Sequence, residues 1–255
     1  MSEYSQTFYD KRRSLARSSA DAVVPFVVEI VAPKRVVDLG CGEGMWLQAF
    51  RERGVGEILG IEGDWLDKSS LEIPQDFFRH HDLCQPLDLG RSFDLAISVE
   101  VAEHLDEENA AAFVNTLTGL APVVLFSAAV PYQGGTGHVN ERWPAYWAHR
   151  FAERGYVPVD ILRRRIWQDE RVAWWYRQNL VFYANESALS ANDVLKQGAA
   201  ATPAEPDALV HPDLFLPRVD GRARSRDLRN LKLGRVIRAL PLIAWNSCKR
   251  WLTNS

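Results

Sequence analysis

Residues 36–44 read VVDLGCGEG, an apolar run that ends in an acid and then meets a glycine at every second position. No other stretch restricts the fold as much. Glycine takes up positive φ without a Cβ penalty and lets the backbone approach a ligand closely, so a strand must stop here in a tight turn. Met45–Arg53 follows with helical periodicity, which places a helix N-terminus directly after the turn. A pyrophosphate fingerprint would read G-x-G-x-x-G, whereas Gly40, Gly42 and Gly44 stand as G-x-G-x-G behind Asp38. An acid at that place suits a ligand carrying positive charge, such as the amino group of a methionine moiety, better than a pyrophosphate.

The flanking sequence alternates β-rich and helical stretches. Arg35–Leu39, Glu57–Ile61, Phe77–Asp82, Phe93–Val99 and Pro122–Ala128 read as strands, and Val157–Leu162 and Leu180–Ala184 add two more. Met45–Arg53, Asp106–Leu120 and Trp143–Arg154 read as helices. Runs such as FDLAISV and VVLFS are apolar on both faces, as in a parallel sheet covered on each side. The pattern predicts a doubly wound, mostly parallel α/β fold. The first thirty residues read as helical, with Ser18 and Ser19 as candidate caps ahead of Val23, Val24, Val27, Val28 and Val31. The implied division is N-terminal helices over 1–34, a catalytic domain over 35–185, a small, polar, Ala- and Pro-rich linker over 186–209, and a basic helical appendage over 210–255.

At 255 residues the chain is long enough for one large α/β domain with appendages. Its net charge of −3 gives no overall pull toward nucleic acid, but the charge is unevenly placed. From Arg218 onward ten Lys and Arg face two Asp, so the remainder carries 20 basic against 31 acidic residues, a formal −11. Arg222 to Leu240 alternates cations with apolar residues at three- and four-residue spacing, an amphipathic basic helix that would dock on the acidic body, mediate a homodimer or lie on an anionic membrane surface. Cys41, Cys84 and Cys248 form neither a disulfide framework nor a zinc motif. The N-terminus lacks an apolar signal core, and the expected location is cytoplasmic.

Four further places carry chemistry. Glu62 ends the strand ILGIE, where a carboxylate can accept hydrogen bonds from both hydroxyls of a ribose. Asp82, in HHDLCQPL, can accept from an adenine amino group, with Leu83 against the ring. FDLAISVEVAEHL runs out at Glu100, with Glu103 and His104 close behind; His104 is read either as catalytic or as a loop pin. PYQGGTGHVNERWPAYW leaves the fifth strand over the same end of the sheet and sets His138 among Tyr132, Gln133, Asn140, Glu141 and Trp143. No metal-ligand spacing is imposed by these acids and histidines, and magnesium stays open.

The ordered set Asp38–Gly44, Glu62, Asp82 and FDLAISVEVAEHL resembles the class I S-adenosylmethionine-dependent methyltransferases, closely over Val36–Phe126 and loosely to Asn185. The resemblance implies a Rossmann-like, seven-stranded sheet whose last strand, here Leu180–Ala184, is antiparallel. It further implies a cofactor site drawing on Asp38, Gly40, Cys41, Gly42, Gly44, Glu62, Gly63, Asp82, Leu83 and Glu100. The loop around His138 and the later WWYRQN are similar to those of bacterial saccharide and glycolipid O-methyltransferases. That similarity implies a sugar or small-molecule acceptor, contacted by Tyr132, Gln133, Asn140, Glu141 and Trp143, and a base at His138 or His104. Trp143, Tyr146, Trp147, Trp174, Trp175 and Tyr176 are suited to stacking on sugar faces or to filling helix cores. A nucleic-acid acceptor is not expected, because neither an N/D-P-P-Y loop nor a Pro-Cys nucleophile follows the fourth strand. A nicotinamide oxidoreductase, a methyltransferase of a non-sugar molecule and a non-catalytic cofactor-binding scaffold are the alternatives.

Overall fold

The computed structural model describes residues 6–226, with side chains over 13–219. Seven strands form one sheet: β1 (Arg35–Leu39), β2 (Glu57–Glu62), β3 (Phe78–His80), β4 (Leu95–Val99), β5 (Val123–Ser127), β6 (Tyr156–Val159) and β7 (Val181–Asn185). Their spatial order is β3-β2-β1-β4-β5-β7-β6. The first five are parallel, and β7 runs antiparallel to both β5 and β6. This is the expected doubly wound sheet with its last strand reversed.

Strand periodicity divides the core into two layers. Val36, Leu95, Ile97, Leu125 and Phe182 face the layer that holds α1 (Gln6–Val31) and α2 (Met45–Glu52). Their neighbours Val37, Ala96, Val124 and Tyr183 face the layer that holds α3 (Ala110–Leu120) and α4 (Pro144–Ala152). Successive strand residues point to opposite faces, so a strand apolar at every position can serve both layers. Burying a Val, Leu, Ile or Phe side chain contributes about 1.5–3 kcal/mol.

Two local expectations are corrected. Among the described residues the N-terminal helix spans Gln6–Val31, so Ser18 and Ser19 lie inside it rather than at its cap. Ser19 Oγ donates to Leu15 O at 2.6 Å and accepts from Ala173 N at 2.9 Å, while Ser18 Oγ donates to Arg171 O. The hydroxyls therefore tie α1 to the loop before α6 (Trp174–Asn179) instead of starting a helix. The stretch expected as a linker carries α7 (Glu186–Ala191) and α8 (Asp193–Ala201), following α5 (Arg163–Ile166) and α6. Asn185 and Asn192 cap these helices through their side-chain oxygens, and Asn192 Nδ2 donates to Ile30 O at 2.6 Å. Leu195 is buried, and Gly198 lets α8 approach Val159 so closely that a Cβ would lie 2.6 Å from its side chain. Alanine is both a common loop residue and the best helix former, which is why composition misleads here.

The compact unit containing the sheet ends at His211. A second unit begins at Pro212 and holds α9 (Pro212–Arg226). The proposed amphipathic basic helix lies, beyond Arg226, outside the described residues. Among the described residues no helix is long and apolar enough to cross a membrane.

Candidate active site

Between β1 and β4 the winding of the sheet reverses, and in open α/β folds this is where ligands bind, beyond the carboxyl ends of the strands. The glycine turn sits there. Gly40, Gly42 and Gly44 all have positive φ, of 83°, 51° and 86°. At Gly40 a Cβ would lie 2.3 Å from Val101 Cγ2, whereas at Gly42 nothing stands within 4 Å. Gly40 is therefore demanded by packing and Gly42 leaves open room for a ligand. Gly40 N and Cys41 N donate to Ile61 O, which ties the turn to β2.

Two acids meet at this turn. Asp38 is 1% exposed, and neither carboxylate oxygen has a hydrogen-bond partner within the protein. Burial, reinforced by Glu62, pushes its carboxyl well above the ordinary range. Glu62 accepts from Gly42 N at 2.9 Å and Gly63 N at 2.8 Å. Burial raises it too, while those amides and the Trp65 indole favour its charged form. A carboxylate offers about four acceptor positions, so two amides leave capacity for further donors. Trp65 is 72% exposed and packs against Gly63, where a Cβ would meet its ring at 2.6 Å. It was not anticipated; the signal was an aromatic three residues after the strand-ending acid.

The other expected cofactor residues take different parts. Cys41 is buried and its sulfur lies 2.7 Å from where a Gly60 Cβ would be, so only its backbone belongs to the turn. Burial, with Asp38 and Glu62 nearby, raises the thiol well above its usual value and keeps it protonated. Asp82 is exposed; its Oδ1 accepts from Cys84 N at 2.9 Å, closing a turn, and the half-buried Leu83 packs on the α3 layer.

On the β4–β5 side, Glu100 holds φ at 57°, a left-handed conformation that costs a non-glycine residue about 1–2 kcal/mol. Its backbone N donates to Ser127 O and Oγ. Its carboxylate accepts from Gln133 Nε2 at 2.7 Å and Asn179 Nδ2 at 3.0 Å. Gln133, expected to face an acceptor, is instead buried under Glu100, where its Oε1 accepts from Asn179 and Gln178. Gln178 and Asn179 were missed because the rings of WWYRQN drew notice and its amides did not.

Asn140 is buried and accepts from Arg142 Nε at 2.8 Å. Glu141 accepts from Tyr132 N at 2.8 Å, Gly134 N at 2.6 Å and His138 Nδ1 at 3.0 Å, so it organises the loop. Of the residues expected on the acceptor, Tyr132 and Trp143 are exposed. Of the six rings, Trp147 and Tyr176 are buried core, Trp147 packing on Phe126. His104 and His138 stand edge to face, centroids 4.9 Å apart. Since a carbonyl only accepts, His104 Nδ1 donates to Gly137 O at 3.2 Å, which is the expected loop-pinning bond. Glu103 is fully buried, its oxygens without a well-formed hydrogen bond, and His138 Nε2 lies 3.9 Å from Oε1. Burial and the neighbouring Glu100 raise it well above the ordinary range.

Residues 9–176 match the model of a family described as a methyltransferase domain. The chain belongs to this family. The match sets aside the oxidoreductase alternative. No curated protein matches the sequence of this methyltransferase. Among solved structures it is similar to the sugar N-methyltransferase KedS8 from Streptoalloteichus sp ATCC 53650, at 18% identity and a TM-score of 0.53, covering 72% of this chain and 94% of that one. It is likewise similar to Streptomyces venezuelae DesVI, at 16% identity and a TM-score of 0.51, covering 70% and 95%. A third, magnesium protoporphyrin IX methyltransferase from Synechocystis PCC 6803 with bound SAH, aligns at 17% identity and a TM-score of 0.49 over 73% and 90%. At these identities the likeness is one of fold, and the fold is that of a Rossmann-like methyltransferase.

Proposed function

We propose that this methyltransferase uses S-adenosylmethionine to methylate a hydroxyl of a saccharide or a glycosylated small molecule, with a place in polysaccharide or glycolipid synthesis. The observation that carries the cofactor is Asp38, a buried carboxylate with no partner, set beside Glu62 at the glycine turn. Burying an unpaired charge is costly unless something compensates it, and the ammonium of a methionine moiety would do so. Glu62 would accept from the ribose hydroxyls, the open face at Gly42 would admit the backbone-to-ligand approach, and Trp65 and Asp82 would flank the nucleoside. The cofactor supplies a methyl group on a positively charged sulfur, and its transfer leaves a neutral thioether.

The residues facing the acceptor have two tasks, orientation and proton removal. His138 Nδ1 donates to Glu141, so in the neutral ring Nε2 carries the lone pair that would take the acceptor's proton. His104, pinned at Nδ1 by Gly137 O, stands beside it as the second candidate. The exposed rings of Tyr132 and Trp143 favour a sugar acceptor, whose faces stack on aromatics.

Calorimetry with S-adenosylhomocysteine and with NAD tests the cofactor, and labelled methyl transfer across a panel of saccharides and non-sugar hydroxyl compounds tests the acceptor. Binding of NAD alone would refute the first reading. Transfer confined to the non-sugar compounds would refute the second, and cofactor binding without any transfer would favour the non-catalytic scaffold.

A further inference from the structure

We infer that Glu103, His104 and His138 form a binding site for a first-row divalent cation next to the acceptor loop, with Glu141 and Gly137 orienting its imidazoles. One ligand atom from each of the three lies within 4.8 Å of the others. Spacing alone would not make a site, since acids and histidines often cluster at surfaces. The decisive feature is Glu103, which has no exposed surface and no well-formed hydrogen bond to either oxygen, only its own amide, that of Ala129 and the Glu100 carboxyl close by, yet faces an imidazole at 3.9 Å. That separation is too long for a hydrogen bond but within the span of two ligands each about 2.1 Å from one ion.

The two histidines are arranged as ligands. Metal-binding imidazoles almost always donate their other N–H to a carboxylate or a carbonyl, which fixes tautomer and ring orientation. His138 Nδ1 donates to Glu141 Oε1 at 3.0 Å, which leaves Nε2 as its ligating nitrogen, and His104 Nδ1 donates to Gly137 O at 3.2 Å, which fixes the orientation of that ring. Glu141 is itself anchored by Tyr132 N and Gly134 N. The two segments that supply the ligands are stitched together at the backbone: Glu103 O accepts from Val139 N at 2.9 Å and Asn140 N at 3.0 Å. The ligands therefore come from two loops held as one piece, which is the preorganisation a metal site needs. Glu100 adds a second carboxylate beside Glu103, so the neighbourhood favours a positive guest. His104 is exposed and gives an ion a way in.

Two imidazoles and one carboxylate suit manganese, iron, cobalt or zinc better than magnesium or calcium, which prefer all-oxygen shells. Three protein ligands leave coordination positions open. On the methyl-transfer reading, on which this purpose rests, the acceptor's oxygen would fill one of them. Its hydroxyl would then lose its proton to water at the ion, with His138 acting as a ligand instead of a base.

The test is titration of chelator-treated full-length protein with Mn²⁺, followed by the electron paramagnetic resonance signal of the free ion, with Zn²⁺ as competitor and S-adenosylhomocysteine binding measured on every sample. We expect one saturable site that Zn²⁺ displaces, lost in Glu103→Gln and in His138→Ala. In Glu141→Gln, which removes only an orienting partner, it should weaken by about 10- to 100-fold. S-adenosylhomocysteine should still bind each variant, showing that the fold survives. No saturable Mn²⁺ binding by the wild-type protein, or binding that persists in both ligand variants, overturns the inference. Absence of S-adenosylhomocysteine binding by the wild-type protein, with the ion bound, would refute the proposed function and leave the cation site standing.

Discussion

Replacing Asp38 by Asn should stabilise the ligand-free protein while weakening its hold on cofactor. Asp38 is 1% exposed, neither oxygen is hydrogen-bonded within the protein, and Glu62 adds repulsion to the burial. An unsatisfied buried polar group costs about 1–3 kcal/mol, and more when charged. Asn would also be unsatisfied but neutral, so the gain is the difference, about 1–2 kcal/mol. In a protein of this size that raises Tm by roughly 2–8 °C. The sign with pH follows from the raised carboxyl. Below its ordinary range Asp38 is protonated in both folded and unfolded chains, and the two proteins should be equally stable. As pH rises through the folded value, the folded chain must give up a proton it holds tightly, and the wild-type protein loses stability that the variant keeps. The gap in Tm should therefore widen as pH rises above the ordinary carboxylate range. Loss of a charge-assisted contact should lower S-adenosylhomocysteine affinity by about 10- to 150-fold, equivalent to 1.5–3 kcal/mol. Thermal melts across pH, paired with calorimetry, decide the matter. A gap that is constant with pH, or a variant less stable than wild type with undiminished affinity, would refute the view of Asp38 as an acid awaiting a cation.

Glu62→Ala should weaken both S-adenosylmethionine and S-adenosylhomocysteine by about 10- to 150-fold in calorimetry, since it removes a charged acceptor of hydrogen bonds; unchanged affinity would take Glu62 out of the site. Gly40→Ala combines left-handed strain with a Cβ only 2.3 Å from Val101 Cγ2, so a loss of about 2–5 kcal/mol is expected, seen as a Tm lower by on the order of 10 °C. A near-neutral melt would mean that the turn rearranges freely. With His138 as the base, His138→Ala should cut turnover by about 10²–10⁴-fold with cofactor affinity retained. An active His138→Ala beside an inactive His104→Ala would reverse their assignment.

Strands β1, β4 and β5 were legible in the sequence because burial on both faces makes nearly every position apolar, Asp38, Ser98 and Ser127 being the buried polar exceptions. The glycine turn was legible for a related reason: Gly40 is required by the contact with Val101, and such steric demands leave a mark in residue type. Features set by tertiary contact were less readable. The capping Asn185 and Asn192 look like loop residues until their helices are seen, and Ser18 and Ser19 look like caps until α1 is seen to run through them. Within the site, Glu62 and His138 could be singled out by position at a strand end or within a glycine-rich loop. That Gln133 lies under Glu100, or that Gln178 and Asn179 complete its cage, depends on β7 lying beside β5, which no local pattern records.

The site also explains why this fold tolerates four unfavourable acids. Asp38 and Glu62 near the ends of β1 and β2, and Glu100 and Glu103 beyond β4, are all raised by burial. Each therefore subtracts from the stability of the ligand-free protein as pH rises through its folded value. A stability-driven design would replace them with amides or apolar groups. Their arrangement in two pairs on either side of the β1–β4 junction separates two demands. One pair lies at the glycine turn, where a cationic cofactor would bind. The other lies under the acceptor loop, where a proton or a cation would be handled. Any positively charged ligand that binds either pair then restores stability, by about 2.7 kcal/mol at a hundredfold excess over its Kd. The two halves should respond separately, so that S-adenosylmethionine and Mn²⁺ each raise Tm and the increments add. Additivity is expected only for sites without shared partners. A combined shift well below the sum would place both ligands on one set of carboxylates and remove the division between the pairs.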